Sequence, residues 1–193
     1  FLTKVSMSGA GVDFDQVRVE LRAPTELSLA CSVGVSCEVW ARAGAELVFS
    51  AAAGPHHSFL AWSGPCTGTG ECRVTITDDV ELSAEFARLL GLVSVAVTGA
   101  GFGRVFSQPA GIDCDTQGGA LACVAEFPRG SLVVLAAQPS PAVGASTFSS
   151  WRAGPCSGSS NPVCAFAPDA PHVALDAGFE PTACGGAMGA RCG

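Results

Sequence analysis

Three histidines, His56, His57 and His172, are the only imidazoles in the 193-residue chain. A nucleophile triad needs a base held between a nucleophile and an orienting acid. His56 and His57 follow Gly54-Pro55, and His172 follows Pro171. That setting predicts solvated loop histidines, and no Gly-x-Ser-x-Gly elbow accompanies them. Asp13/Asp15, Asp78/Asp79 and Asp113/Asp115 are carboxylate pairs of the kind that hydrolyses glycosides or helps to hold Ca²⁺. They sit at turns, where Asp is favoured for backbone reasons, and their spacing does not resemble an EF-hand. Gly99-Ala100-Gly101-Phe102-Gly103 mimics a phosphate-cradling loop but lacks the following helix and the Lys-Ser/Thr pair. The same Gly-Ala-Gly recurs at Ser8-Gly9-Ala10-Gly11, which points to a structural turn. Trp62 and Trp151 each lie one short step before a Gly-Pro-Cys turn. Packing against the adjacent disulfide is the expected role, and a ligand platform is the alternative. The expectation is a protein that is not an enzyme and has no catalytic set, no cofactor and no resident metal.

The residues with the strongest chemical signal are the ten cysteines. They fall in five close pairs: Cys31/Cys37, Cys66/Cys72, Cys114/Cys123, Cys156/Cys164 and Cys184/Cys192. Zinc knuckles use Cys-x₂₋₄-Cys or His-x₃₋₅-His spacing, and no pair has it. Disulfides formed in an oxidising compartment are the better account. Neighbour pairing is the expectation, although ten cysteines admit many other connectivities. Each such short loop would contribute on the order of 2–3 kcal/mol through the unfolded state.

Hydrophobic residues make up 48% of the chain and charged residues 14%, against about 25% charged in ordinary soluble domains. The chain can therefore build cores but has little charge to cover them. The net charge is −7. Lys4 is the only lysine, and no basic run is interleaved with aromatics, so nucleic acid and anionic membranes are disfavoured. The longest apolar stretch, Leu89 to Phe102, is interrupted by Gly and Ser and falls short of a membrane span. No secretory signal is present. The chain begins at Phe1 rather than Met, which suggests that a leader or a larger N-terminal portion has been removed.

The elements that position these residues come from an internal repeat. The first copy runs from Val5 through VSMSGAG, VRVELRAP, Cys31, Cys37, ARAGAELVFSAA, FLAWSGPC and Cys72 to Phe86. The second runs from Val93 through VSVAVTGAG, GRVFSQPAG, Cys114, Cys123, PRGSLVVLAAQP, FSSWRAGPC and Cys164 to Phe179. Trp62 matches Trp151, Gly64-Pro65-Cys66 matches Gly154-Pro155-Cys156, Gly44 matches Gly130 and Pro24 matches Pro109. Val17–Leu21, Arg73–Thr77 and Val93–Val97 alternate with period two, and Gly and Pro clusters punctuate them. No window offers a capped apolar stripe of helical period. The expected fold class is all-β, with two tandem small disulfide-stapled β-sheet modules, built as sandwiches or barrel-like sheets. The expected domains are 1–88, 89–180 and a Gly/Ala-rich, cysteine-paired tail at 181–193. Arg88-Leu89-Leu90-Gly91 forms the short hinge. A module of about 88 residues buries little more than 60% of its unfolded surface, which explains its need for staples.

The order of landmarks resembles the divergent internalin-type B-repeat of bacterial surface and secreted proteins. Copy two carries Gly101, Gly103, Val105, Ser107, Pro109, Gly111-Ile112-Asp113-Cys114, Cys123, Phe127, Gly130, Trp151, Cys156, Gly158 and Cys164. Copy one lacks the Gly-Ile-x-Cys step, has Trp40 where Phe is usual, and keeps Trp62, Cys66, Gly68, Cys72 and Phe86. The resemblance covers roughly residues 5–179 and implies an all-β module, sandwich or grasp-like, in a secreted or bacterial cell-surface protein with no catalytic residues. The expected function is that of an extracellular structural or adhesive repeat, a filament subunit or a stalk module. The alternative is a carbohydrate- or ligand-binding accessory domain. The expected partners are other copies or other surface proteins, joined by strand addition, with no nucleic acid and no membrane insertion.

Overall fold

The computed structural model describes residues 1–9, 17–22, 28–32, 36–116, 122–141 and 146–182. The chain divides into two compact units, Phe1–Leu89 and Leu90–Gly193. The first contains β1 (Leu2–Ser8), β2 (Val17–Arg22), β3 (Ser28–Ser32), β4 (Ser36–Trp40), β5 (Glu46–Ala53), β6 (His57–Ser63), β7 (Cys72–Thr75) and β8 (Val80–Arg88). The second contains β9 (Leu90–Thr98), β10 (Gly103–Gln108), β11 (Asp113–Asp115), β12 (Val124–Pro128), β13 (Val133–Pro139), β14 (Ser146–Ala153), β15 (Val163–Phe166) and β16 (His172–Pro181). The described residues form no helix, so each unit is a sandwich rather than a grasp.

In the first unit the sheets run β3-β4-β1-β8-β6 and β2-β5-β7; in the second they run β12-β9-β16-β14 and β11-β10-β13-β15. The two units match strand for strand apart from their third strand. β3 pairs with β4 in one sheet, whereas β11 pairs with β10 in the other. In both units the first and last strands lie side by side and parallel, β1 with β8 and β9 with β16.

Alternation of side chains across each strand supplies one core per unit, drawn from both sheets. Val5, Leu47, Phe49, Trp62, Leu82 and Phe86 pack in the first. Val93, Val105, Leu135, Trp151, Leu175 and Phe179 pack in the second. The two tryptophans are buried, and each indole N–H has an acceptor in the loop that follows: Trp62 Nε1 donates to the Gly70 carbonyl at 2.7 Å and Trp151 Nε1 to the Asn161 carbonyl at 3.0 Å. Neither ring presents a face to a ligand, so the platform alternative is removed for both.

The loop after each tryptophan crosses from one sheet to the other and is bridged, by Cys66–Cys72 and by Cys156–Cys164. Cys114–Cys123 also joins the two sheets of the second unit. Cys37 is disulfide-bonded and stands opposite Cys31 in the β3–β4 register. Cys184 and Cys192 lie outside the described residues. Gly64 opens the first crossover at φ 109° and Gly154 the second at φ 89°. A Cβ on Gly154 would stand 2.7 Å from the Ala174 carbonyl oxygen, and one on Gly64 would strike that of Glu81. The left-handed backbone and the close approach together require glycine there.

Trp40 is a landmark that the structure relocates. The sequence places it at the position of Phe127, but the registers do not. Leu2 faces Trp40 as Leu92 faces Glu126, and Phe1 exchanges backbone hydrogen bonds with Ala41. Ala41 therefore holds the buried place of Phe127, and Trp40 turns to solvent with 58% of its surface exposed. A shift of one residue moves a strand side chain to the opposite face.

Two substitutions test this packing. Trp151→Ala should destabilise the second unit by about 3–5 kcal/mol, the usual cost of deleting a buried aromatic. Thr3 is fully buried with no partner for its Oγ1, and Val93 holds the matching place. Thr3→Val should therefore stabilise the first unit by about 1 kcal/mol, because an unpaired buried hydroxyl costs that much or more. Denaturant unfolding of each variant measures both, and a destabilised Thr3→Val would show that the hydroxyl is satisfied.

Candidate functional site

The first unit's larger sheet has a solvent face built from the outward positions of β4, β1, β8 and β6. Ser36 faces Ser6, Ser6 faces Ser83 and Ser83 faces Ser63. Four hydroxyl residues thus cross four adjacent strands in one row, and Ser32 takes the next register position on β3. One step along the strands, Lys4 lies between Glu38 and Glu81. One step further stand Leu2 and Trp40. A shallow depression is lined by Lys4, Ser6, Ser63, Glu81 and Ser83. Hydroxyls, carboxylates and an exposed indole on a flat surface are the groups that meet a neutral polyol, by hydrogen bonding and by stacking. The serine row is invisible in the linear sequence, because Ser6, Ser36, Ser63 and Ser83 are successively 30, 27 and 20 places apart along the chain and only pairing aligns them.

The matching face of the second unit is different. Ser94 Oγ and His172 Nε2 are 2.9 Å apart on open sheet surface. Asp176, on the same strand as His172, accepts from Thr98 Oγ1 at 2.6 Å instead. Arg152 donates to Thr98 at 3.0 Å and to Glu180 at 2.6 Å. Its guanidinium lies over Gly178, where a Cβ would collide with it. This is an ion-pair and hydroxyl network that braces β14, β9 and β16 together.

The histidines do not converge. His57 is buried in the first unit, His56 is half-buried beside it, and His172 is exposed in the second. The carboxylate pairs also separate in role. Asp79 accepts the Leu2 backbone N–H at 2.8 Å. Asp113 and Asp115 share one strand and flank Arg104, whose guanidinium holds Asp113 through two nitrogens. Asp13 and Asp15 lie outside the described residues. Gly99-Ala100-Gly101 is a turn laid against β16: the Gly101 N–H donates to the Phe179 carbonyl at 2.9 Å, and a Cβ on Gly101 would meet the Glu180 backbone at 2.6 Å. Among the described residues no group of three or more His, Cys, Asp or Glu side chains is placed to hold a metal ion.

No known family profile matches the sequence, and no curated protein matches it. Its fold is similar to that of the Bacillus anthracis TIE protein, at 9% identity and a TM-score of 0.52, over 93% of this chain and 34% of that one. The pilus adhesin SpaC from Lactobacillus rhamnosus GG superposes at 10% identity with a TM-score of 0.44, over 94% of this chain and 31% of that one. The chain thus spans about a third of the solved chains it matches, and likeness at this level concerns fold alone.

The Arg104 hydrogen bonds hold the Asp113 carboxyl below the ordinary aspartate range, with the charge of Arg104 acting in the same direction. A carboxyl lowered in the folded state adds stability above its unfolded pKa and loses it as the pH falls through the folded value. An NMR pH titration should therefore find Asp113 ionised to lower pH than a free aspartate. Arg104→Gln should return it to the ordinary range; an unchanged titration would show that Arg104 does not set it.

Proposed function

We propose that this chain is an extracellular structural or adhesive β protein, displayed on a bacterial surface as a stalk module or filament subunit, and that it performs no reaction. The observation that carries this reading is the parallel pairing of the first and last strands in each unit. β1 and β8 start at the same pole of their sheet, as do β9 and β16. The chain therefore enters each unit at one pole and leaves it at the other, about 30 Å away for a nine-residue strand. Tension applied through the termini pulls β1 and β8 along each other in opposite directions. All their ladder hydrogen bonds are then loaded together rather than broken one after another. The disulfides that join the two sheets across their loops hold the sandwich shut under the same load. The resemblance to internalin-type B-repeats supports the same reading.

A second reading, recognition of a neutral glycan, is favoured by the exposed Trp40 and the serine row on the first unit. Three carboxylates on that face, Glu38, Glu81 and Glu85, against one Lys4 disfavour sulfated or uronic-acid chains.

Single-molecule pulling tests the first reading. Extension through the two ends of the first unit should need several-fold more force than extension between a handle at Pro55 and the end of β8. The second geometry peels antiparallel β6 from β8 starting at the His57–Arg88 pair. Equal forces would refute the load-bearing role. A glycan array tests the second reading: binding to neutral oligosaccharides that Trp40→Ala abolishes would support it, and silence of the native protein would end it.

A further inference from the structure

β1 with β8 and β9 with β16 form one parallel clamp in each unit. The two clamps share a plan, and the second is built more strongly. Leu92–Thr98 face His172–Gly178 over seven pairs, whereas Thr3–Ser8 face Val80–Glu85 over six. Two side-chain hydrogen bonds also join the strands of the second clamp. Ser94 Oγ lies 2.9 Å from His172 Nε2, and Thr98 Oγ1 donates to Asp176 at 2.6 Å.

Thr98 faces Gly178 as Ser8 faces Glu85. The register therefore matches Thr98 to Ser8 and Asp176 to Ser83. Among the described residues no hydrogen bond joins Ser8 to Ser83. Asp79, which matches His172, reaches only the Leu2 backbone N–H, and the second unit equals that bond with the Pro171 carbonyl on the Leu92 N–H. Arg152 braces β14 to Thr98 and Glu180, and its place after the buried tryptophan is held in the first unit by Ser63. Val93 faces Val173 where Thr3, with its buried and unpartnered hydroxyl, faces Val80.

The covalent ties differ in the same sense. Cys114–Cys123 and Cys156–Cys164 both join the sheets of the second unit, and the Cys123 carbonyl accepts the Val95 N–H of β9 at 2.8 Å. Among the described residues one bridge, Cys66–Cys72, joins the sheets of the first. The register partner of Cys37 is Cys31, within the same sheet.

We infer that the first unit is a mechanical fuse: under tension along the chain it opens first, and the second unit holds. This order of opening rests on the load-bearing reading of the clamps. Units joined in one chain carry the same tension however they are oriented, so the weaker clamp yields. In shear the bonds across a clamp are loaded together, and each added pair or side-chain bond raises its resistance. Opening of Phe1–Leu89 releases on the order of 200–300 Å of extended chain, which relieves the tension on the second unit while its fold and surface are kept.

Holding the whole chain by its two ends at constant force tests the order. Two opening events are expected, the earlier from the first unit. Ser94→Ala with Thr98→Val removes both side-chain bonds of the second clamp; it should speed the later event about tenfold and leave the earlier one unchanged. Thr98→Val alone carries the test if the double variant fails to fold. Ser8→Thr with Ser83→Asp transplants the Thr98–Asp176 bond and should slow the earlier event several-fold. If the second-clamp variants speed the earlier event instead, the second unit opens first and the inference is overturned. Native events of equal lifetime, or second-clamp variants that move neither event, would overturn it too. The load-bearing reading fails separately, on equal forces for the two pulling geometries of the first unit; a reversed order with that difference intact strikes the fuse alone.

Discussion

The structure depends on one local arrangement made twice: a tryptophan buried beneath a disulfide-bridged loop that crosses from one sheet to the other. The indole supplies a large apolar volume to the core, and its N–H needs an acceptor once it is out of water. The crossing loop provides that acceptor at Gly70 and at Asn161. The loop can pass close enough only because Gly64 and Gly154 adopt a left-handed backbone against a neighbouring strand. The disulfide then prevents the loop from lifting. Core volume, polar satisfaction, backbone geometry and covalent closure thus coincide within about ten residues, in a module too small for its core to be secure without them.

The parallel contact of first and last strands is a second constraint, of longer range. β1 cannot complete its pairing until β8 has been made, nor β9 until β16, so one sheet of each unit is closed by the most distant strands in its sequence. Such a contact is entropically expensive to form. Once made, it ties both ends of the unit into the centre of one sheet, where neither can fray. It also directs the chain in at one pole and out at the other.

The two units then diverge on their surfaces while keeping the same frame. On the sheets that hold the first and last strands, a hydroxyl row with Lys4, Glu38, Glu81 and Trp40 is set against the Arg152–Glu180–Thr98–Asp176 network. On the other sheets, the ion network of Arg73 with Glu46 and Glu71 is set against Phe106, Leu132 and Val163. Buried positions are held by packing, and a strand's outer face is free to change because its side chains meet only water or a partner.

Much of the fold is legible along the chain. Period-two alternation, Gly-Pro-Cys turns, paired cysteines and recurring tryptophans describe an all-β protein made of stapled modules, because each reflects interactions within a few residues of itself. The surface chemistry is not legible in the same way. Trp40 reads as the counterpart of Phe127 and is placed outside by a one-residue register, while Ser6, Ser36, Ser63 and Ser83 read as four unrelated serines. Facing partners in a sheet are chosen by hydrogen-bond register between distant segments, and no local pattern encodes that choice. The sequence by itself therefore determined strands, staples and cores. Only tertiary pairing decided which side chains share a surface.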